Sequence, residues 1–326
     1  HSVAQILLLL AEAGVGQRTD PGTSRKVIHK AIDLGITLFD TGDFYGMGDN
    51  ELLLREALHG RARTGVVLSV KFGALRDPNG GWSGIDGRPA AVRNFLAYSL
   101  RRLGTDYIDV YRLTRVDPAV PIEETVGAIA EMVHAGYVRH IGLSEAGADT
   151  LRRAHAVHPV VDLQIEYSLL SRGIEDGILP TARELGIAIT AYGVLSRGLM
   201  SGHWSEDRKV TPDDFRARGP RFAGGNLRRN LALVEALREV AADKGATVAA
   251  VAIAWVLSRG HDIVPLIGAR RRDQLAEALG ALALPLAPED LARIEQRVPK
   301  GAAAGDRYPA PQMAHLDSER RRPPAR

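Results

Sequence analysis

The sequence contains no cysteine in its 326 residues. Disulfide bonds, thiolate metal sites and cysteine nucleophiles are therefore excluded from its chemistry. Long hydrophobic runs are missing as well, since no window approaches the roughly 20 apolar residues of a membrane span. The first apolar run, Ile6 to Ala11, is too short for the core of a signal peptide. We therefore expect a cytoplasmic protein without a membrane partner.

A large charge of either sign is also absent. The 42 basic and 39 acidic residues leave a formal net charge of +3. This charge is small for the length of the chain and gives no indication of a nucleic-acid partner. Hydrophobic residues make up 45% and charged residues 25% of the chain, which predicts a globular protein with a large core.

A dinucleotide-binding fingerprint is the third absence. The only GxG candidate is Gly14-Val15-Gly16, and Thr19 stands where the third glycine of the fingerprint belongs. No suitable acidic residue follows at the required distance of about 20 positions, because Asp33 and Asp40 belong to other elements. We therefore reject an open doubly wound sheet of the Rossmann type.

Short apolar runs alternate with helical patterns along the chain. Several of these runs are apolar throughout, which is typical of parallel strands that are covered on both faces. Eight such strand–helix units in about 300 residues predict a (β/α)8 barrel, also called a TIM barrel. The predicted strands comprise residues 5–10, 36–40, 66–72, 107–113, 140–144, 162–167, 187–192 and 262–266.

The barrel is predicted to form a single domain over residues 1–298. A Gly-rich polar stretch around residues 198–227 interrupts the pattern and indicates an insertion, and residues 73–88 are predicted to form a polar loop. Residues 299–326 carry many Gly, Pro and Ala residues and end in an Arg-rich segment, which predicts a loosely ordered C-terminal tail. No pattern in the sequence favours a particular oligomeric state.

Polar residues lie at the ends of the predicted strands, where barrels of this class have their active sites. Asp40 ends the second strand, Lys71 lies near the end of the third, and Tyr45 follows Asp40 in a Gly-rich turn. The corresponding residues on later strands are Thr114, Ser144, Glu145, Gln164, Tyr167, Tyr192 and Gly268.

Reduction of a ketone or an aldehyde needs an acid that protonates the carbonyl oxygen as charge develops on it. A tyrosine phenol can donate this proton if its pKa falls from about 10. A neighbouring lysine ammonium lowers that pKa, and a carboxylate holds the lysine in place. Asp40, Tyr45 and Lys71 supply these three parts. On spacing alone, a structural Asp–Lys salt bridge beside an unrelated tyrosine is an equally good interpretation.

The segment DTGDFYGMGDNELLLREAL, which begins at Asp40, resembles the signature of the aldo-keto reductase family, and SVKFG resembles the lysine strand of that family. The later blocks RRLGTDYIDVYRLTRVDP, IGLSEAG, LQIEYSLLSR and ITAYGVLSRGLMSG follow in the family's order. The resemblance covers about residues 25–298. It implies a (β/α)8 barrel that binds a nicotinamide cofactor, usually NADPH, without a Rossmann domain.

The resemblance implies that Tyr45 is the general acid, Lys71 its electrostatic partner and Asp40 the residue that orients the lysine. The family's fourth catalytic residue is a histidine in the pattern HRxDP. This chain reads Thr114-Arg115-Val116-Asp117-Pro118, so Thr114 occupies the position of the histidine. A threonine hydroxyl can hydrogen-bond a carbonyl oxygen but cannot relay charge as an imidazole can.

Further positions match residues that hold the cofactor in the family. The resemblance implies that Ser144 and Gln164 bind the nicotinamide carboxamide and that Tyr192 stacks on the nicotinamide ring. Glu145 stands where the family usually has asparagine, and a carboxylate can only accept hydrogen bonds from that carboxamide.

The C-terminal block IGARRRDQLAEAL matches the part of the family that binds the adenosine half of the cofactor. Gly268 permits close approach of the backbone. Arg270 and Arg271 supply guanidinium groups for a 2′-phosphate, which favours NADPH over NADH. Gln274 and Glu277 match positions on the adenosine side.

The sequence thus predicts an NADPH-dependent reductase of a small-molecule aldehyde or ketone, with no metal site. Thr114 favours an alternative, a weakly catalytic or non-catalytic barrel that binds NADPH and regulates a partner. A third possibility is an aldolase or isomerase in which Lys71 forms a Schiff base, but the pairing of Asp40 with Tyr45 would then have no purpose.

Overall fold

Parallel strands and helices alternate along most of the chain. The computed structural model describes residues 7–9 (backbone only), 20–61, 63–212 and 214–320. The Gly14-Val15-Gly16 motif and Thr19 lie outside these residues, so the conclusion that this segment is not a dinucleotide-binding fingerprint stays a prediction.

The strands are Leu7–Leu9 (β1), Leu38–Gly42 (β2), Val67–Phe72 (β3), Ala74–Arg76 (β4), Trp82–Ile85 (β5), Ile108–Leu113 (β6), Val138–Ser144 (β7), Val160–Glu166 (β8), Ala188–Tyr192 (β9) and Ile263–Gly268 (β10). β4 and β5 form a separate two-stranded sheet. The remaining strands follow the order β1-β10-β9-β8-β7-β6-β3-β2, which is that of a (β/α)8 barrel. The predicted fold class is therefore confirmed.

The helices are Pro21–Asp33 (α1), Asp49–Leu58 (α2), Pro89–Leu103 (α3), Ile122–His134 (α4), Ala148–Val157 (α5), Ile178–Glu184 (α6), Gly224–Asp243 (α7), Val248–Ser258 (α8), Arg272–Gly280 (α9), Pro288–Arg297 (α10) and Ala310–Ala314 (α11). Their ends follow local signals in the sequence. Pro89 opens α3, since proline lacks only an N–H that would be unpaired there. Thr247 caps α8 by accepting a hydrogen bond from the N–H of Ala250 at 3.1 Å.

The chain divides into two compact units, which are described separately. The first unit comprises residues 37–165, 175–189 and 314–326, and the second unit comprises residues 1–36, 166–174 and 190–313.

In the first unit, β2, β3, β6, β7 and β8 pair in parallel in that order. β6 is buried along its whole length, as expected of a parallel strand covered on both faces. The register places Asp40 opposite Ser69 and Lys71 opposite Arg112. Because side chains alternate along a strand, these four polar side chains share one face of the sheet.

In the second unit, β1 pairs in parallel with β10, and Leu9 lies opposite Gly268. α8 is buried from Val248 to Val256. Its Trp255 is fully buried, with its ring centroid 5.6 Å from that of Tyr167. This apolar helix is a core element of the second unit.

Within the described residues, no single helix is both long and apolar enough to cross a membrane. Only α7 and α8 taken together, which are bent by 88° at their junction, meet such a test, and they do so by length and composition alone.

The segment predicted as a polar loop, residues 73–88, contains the antiparallel hairpin of β4 and β5. Asp77 closes its turn, because the side chain accepts hydrogen bonds from the N–H groups of Asn79 and Gly81 at 2.8 Å each. Gly80 has a φ of 79° and supplies the left-handed backbone of the turn. The glycines that suggested a loop are thus the turn of a hairpin.

The region of the predicted insertion contains three short turns of 3-10 helix, and α7 begins at Gly224, earlier than the glycines predict. The helix start is held by tertiary contacts that outweigh the low helix propensity of glycine. The buried amide of Asn230 donates to the carbonyl oxygen of Arg221 at 3.0 Å. The 3-10 turns are Ser196–Ser201, Phe215–Arg218 and Pro220–Phe222.

The C-terminal segment, expected to be loosely ordered from residue 299, contains α11 and makes specific contacts within the first unit. The Asp317 carboxylate accepts from the N–H of Gly147, which precedes α5, at 2.8 Å. The Ser318 hydroxyl donates to the Glu145 carboxylate at 2.5 Å. Composition carries no signal for such hydrogen bonds between distant segments. The division into one barrel domain and a tail stays a prediction.

Asp317→Ala removes the carboxylate that caps α5, whose own first residues provide no side-chain cap. We expect the free energy of unfolding to fall by about 1 kcal/mol, as measured by denaturant unfolding. The control Asp207→Ala, which changes an exposed aspartate, should alter it by less than about 0.5 kcal/mol. Equal values for the two variants would contradict a capping role.

Candidate active site

A buried ion pair joins the middle of β2 to the C-terminal end of β3. The Asp40 and Lys71 side chains are 0% and 3% exposed, and the Lys71 ammonium contacts the Asp40 Oδ1 oxygen. The Ser69 hydroxyl and the Gln164 amide each donate to the other carboxylate oxygen, Oδ2, at 2.8 Å. Since buried charges are costly unless they are paired and hydrogen-bonded, these donors from β3 and β8 fix the carboxylate in one orientation.

Burial lowers the pKa of the Lys71 ammonium from its ordinary value of 10.5 to about 8. The attraction of Asp40 opposes this effect, and the positive charges of Arg112 and Arg115 add to it. Lys71 therefore carries its charge at neutral pH and loses it in mildly alkaline solution.

Tyr45 lies beside this lysine. It opens the 3-10 turn Tyr45–Gly48, is half-buried, and has its ring centroid 5.0 Å from the Lys71 Nζ atom. Gly48 has a φ of 104°, and a Cβ atom there would come within 2.8 Å of the Arg102 side chain. Only glycine fits this turn without displacing Arg102. The structure thus brings Asp40, Lys71 and Tyr45 into one cluster.

Thr114, at the position of the family's histidine, is buried at the end of β6. Its hydroxyl donates to the carbonyl oxygen of Phe72 at 2.8 Å. A hydroxyl has a single proton, so in this arrangement Thr114 can only accept a hydrogen bond from a ligand. Its geometry ties β6 to β3 and provides no donor for a carbonyl oxygen.

Two arginines near Thr114 were missed by the sequence analysis. Arg115 donates to the carbonyl oxygen of Thr114 at 2.7 Å and to the Ser144 hydroxyl at 3.2 Å. Arg112 is 1% exposed and donates to the Ser69 hydroxyl at 2.7 Å. The period-2 alternation along β6 places Arg112 on the same face as Thr114, and this was the signal that could have identified it.

A second buried carboxylate, Asp43, connects the turn of Tyr45 to β3. Its N–H donates to the carbonyl oxygen of Lys71 at 3.0 Å, and its Oδ2 accepts from the N–H of Gly73 at 3.4 Å. Burial, with the charge of Glu51 as a smaller contribution, raises the pKa of Asp43 from 3.8 to about 7. This residue was also missed, because ion pairs and burial between distant segments are not visible in a local pattern.

The predicted nicotinamide residues of the first unit lie at the ends of adjacent strands. Ser144 on β7 is opposite Gln164 on β8. The following residue, Glu145, has a left-handed backbone with a φ of 52° and is fully buried. Its carboxylate accepts a hydrogen bond from the hydroxyl of Ser318. Glu145 is therefore bonded to the C-terminal segment.

The remaining predicted residues lie in the second unit. The Tyr192 and Tyr308 hydroxyls are 2.9 Å apart, and Gly268 is exposed at the end of β10. Arg270 is half-buried, and burial together with the positive charge of Arg216 lowers the pKa of its guanidinium. A cation that is repelled by a neighbouring cation would be stabilised by a bound anion.

The other side chains of this block are oriented by local contacts. The Gln274 side chain accepts from the N–H of Arg270 at 3.0 Å. Arg271 is exposed and forms an ion pair with Asp273 at 2.7 Å. Glu277 is half-buried on α9. Among the described residues, no group of three or more His, Cys, Asp or Glu side chains could hold a metal ion.

Known structures resemble this chain over nearly its whole length. The structure of a glycerol dehydrogenase from Gluconobacter oxydans matches with a TM-score of 0.83 and 26% identity, covering 98% of this chain and 94% of that one. A thermostable aldo-keto reductase in complex with the inhibitor epalrestat matches with a TM-score of 0.71 and 25% identity, covering 90% of this chain and 94% of that one.

The sequence comparisons agree with these structural matches. A "Probable aldo-keto reductase 1" of Glycine max is 44% identical over 282 residues, which are 86% of this chain and 81% of that protein. The model of the "Aldo/keto reductase family" matches residues 10–298. A family match of this length shows that the chain belongs to the aldo/keto reductase family of oxidoreductases, which act on carbonyl compounds.

Proposed function

We propose that this protein reduces an aldehyde or a ketone to an alcohol with NADPH, and that Tyr45 is the general acid. The observation that carries this proposal is the buried Asp40–Lys71 pair with the lysine ammonium 5.0 Å from the centroid of the Tyr45 ring. A structural salt bridge beside an unrelated tyrosine would not require that the tyrosine ring lie next to the ammonium.

The residues of this cluster have distinct roles in the proposed reaction. NADPH, when bound, supplies the hydride to the carbonyl carbon. As negative charge develops on the carbonyl oxygen, Tyr45 donates its phenolic proton. The positive charge of Lys71 stabilises the phenolate that remains, and Asp40 holds the lysine in position. Because the Thr114 hydroxyl donates to Phe72, proton donation to the substrate rests on Tyr45.

The resemblance to the family supports NADPH as the cofactor. Ser144, Gln164 and Tyr192 match the family's nicotinamide contacts. In the second unit, Gly268, Arg270, Arg271, Gln274 and Glu277 match its adenosine contacts. A guanidinium binds phosphate well, and the half-buried Arg270 is proposed to bind the 2′-phosphate that distinguishes NADPH from NADH.

Tyr45→Phe removes the proposed acid and keeps the ring. We expect kcat/KM for carbonyl reduction to fall by roughly a hundredfold or more, while the Kd of NADPH changes by less than about threefold, since the phenolic proton serves only the chemical step. NADPH absorbance, followed with a panel of aldehydes, ketones and the oxidation products of glycerol, gives the rates. Fluorescence titration gives the Kd.

The matched control is Tyr137→Phe, which removes the hydroxyl of a tyrosine that is 49% exposed and should have wild-type rates. Equal activity of the two variants would contradict the assignment of Tyr45 as the general acid. Tight NADPH binding by the wild type without turnover on any substrate would favour the non-catalytic, regulatory barrel.

The reduction rate should depend on pH through Lys71. The charged lysine predominates below its pKa of about 8, and the proposed mechanism requires the charged form. We therefore expect kcat/KM for reduction to fall as pH rises through about 8, measured from pH 6 to 10 at saturating NADPH. Lys71→Met should have a low rate without this alkaline decline. A wild-type rate that is constant across this range would exclude Lys71 as the titrating group.

Arg270→Met should weaken the binding of NADPH by roughly tenfold, because it removes a guanidinium proposed to pair with the 2′-phosphate. The Kd of NADH, which lacks this phosphate, should change by less than about threefold. Fluorescence titration measures both constants. The control Arg229→Met changes an exposed arginine of α7 and should leave both unchanged. An equal loss of affinity for NADH and NADPH in Arg270→Met would refute the phosphate contact.

A further inference from the structure

The buried side chain of Arg112 lies next to the Asp40–Lys71 pair in the sheet. Arg112 projects from β6, opposite Lys71 in the register, and is 1% exposed. A charge buried to this degree is destabilising unless it is paired. The guanidinium has its counter-ion in Asp162, with Nη1 2.5 Å from Oδ2, and it donates to the Ser69 hydroxyl through Nη2 at 2.7 Å.

Ser69 connects this ion pair to the candidate active site. Its hydroxyl accepts from Arg112 at 2.7 Å and donates to the Asp40 Oδ2 at 2.8 Å. A hydroxyl has one proton, and the guanidinium can only donate, so the serine proton must point to Asp40. The guanidinium therefore determines which way the serine hydroxyl donates.

The chain of contacts runs from Asp162 through Arg112, Ser69 and Asp40 to Lys71. It crosses four parallel strands, β8, β6, β3 and β2. Every side chain along it is buried. The steps from Arg112 through Ser69 to Asp40 are hydrogen bonds between buried side chains, which are strong, so loss of the guanidinium is expected to displace the Asp40 carboxylate.

We propose that Arg112 is a positioning residue of the reductase site, which fixes the Asp40 carboxylate through Ser69 and thereby holds the Lys71 ammonium beside Tyr45. This inference rests on the function proposed above and extends it to a residue that contacts neither Lys71 nor Tyr45 by a hydrogen bond.

The same guanidinium has an electrostatic effect that distinguishes it from a purely structural residue. Its charge contributes to lowering the pKa of Lys71, after the larger effect of burial. Removing the charge should therefore raise that pKa. The other charged or titratable groups around this site are Asp40 on β2, Asp43 and Tyr45 after β2, Lys71 on β3, Arg115 after β6 and Asp162 on β8.

Two variants test the proposal. Arg112→Gln keeps a donor for Ser69 but removes the charge, and Ser69→Ala keeps the charge but removes the link to Asp40. We expect each to lower kcat at pH 7 roughly tenfold or more, because catalysis is sensitive to small displacements of the reacting groups, while the KM of NADPH changes by less than about threefold. The alkaline decline of the rate should move to higher pH in Arg112→Gln.

The matched control is Arg63→Gln. Arg63 forms an ion pair with Asp109, near the start of β6, at 2.6 Å, in the same unit but remote from Lys71 in the strand register. The loss of this ion pair in Arg63→Gln should lower the melting temperature and leave kcat and the pH profile unchanged. Thermal unfolding is measured for all variants.

The proposal is overturned if Arg112→Gln and Ser69→Ala have the kcat and pH profile of Arg63→Gln. Should Arg112→Gln not fold, Ser69→Ala decides alone, and a wild-type kcat in that variant refutes the role of the link. A wild-type protein without NADPH-dependent reduction overturns both this inference and the proposed function. Wild-type activity with unaffected variants overturns only the inference.

Discussion

The burial of a lysine and an aspartate on two neighbouring strands is the constraint on which the rest of the site depends. Two charges removed from water are stable only if each is matched in geometry. The Asp40 carboxylate is matched by Lys71, Ser69 and Gln164, which come from β3 and β8. Because the parallel strands are held in a fixed register, side chains of neighbouring strands reach the Asp40 carboxylate from several directions. The fold thus provides the geometry that the ion pair needs.

Desolvation prevails over attraction in this pair. Asp40 attracts the Lys71 ammonium, yet burial brings its pKa down to about 8. The Lys71 ammonium remains charged at neutral pH, is paired with Asp40 and lies beside the ring of Tyr45. The positive charges of Arg112 and Arg115 lower the pKa of Lys71 further, in the same direction as burial. The surroundings of the pair therefore matter as much as its two members.

The fold class and the cluster of Asp40, Tyr45 and Lys71 could be predicted from the sequence, because strand periodicity and strand-end position are local signals. The alternation along β6 could also have placed Arg112 on the face of Thr114. Its partners Ser69 and Asp162 lie on other strands, so its role could not be read from a local pattern. The bond between Ser318 and Glu145 joins residues 173 positions apart, and no local pattern encodes it. The β4–β5 hairpin was missed because its turn glycines also suit a loop.

The replacement of the family's histidine by Thr114 changes which groups respond to pH. A histidine titrates near neutral pH, whereas the hydroxyl of Thr114 does not and is bonded to Phe72. In the described part of this site, the groups that change charge near neutral pH are Asp43, at about 7, and Lys71, at about 8. Asp43 lies two residues before Tyr45 and donates its N–H to the carbonyl oxygen of Lys71, and the Lys71 ammonium lies beside the Tyr45 ring. The loss of an imidazole therefore does not leave the site insensitive to pH, because burial has moved two ordinary side chains into the same range.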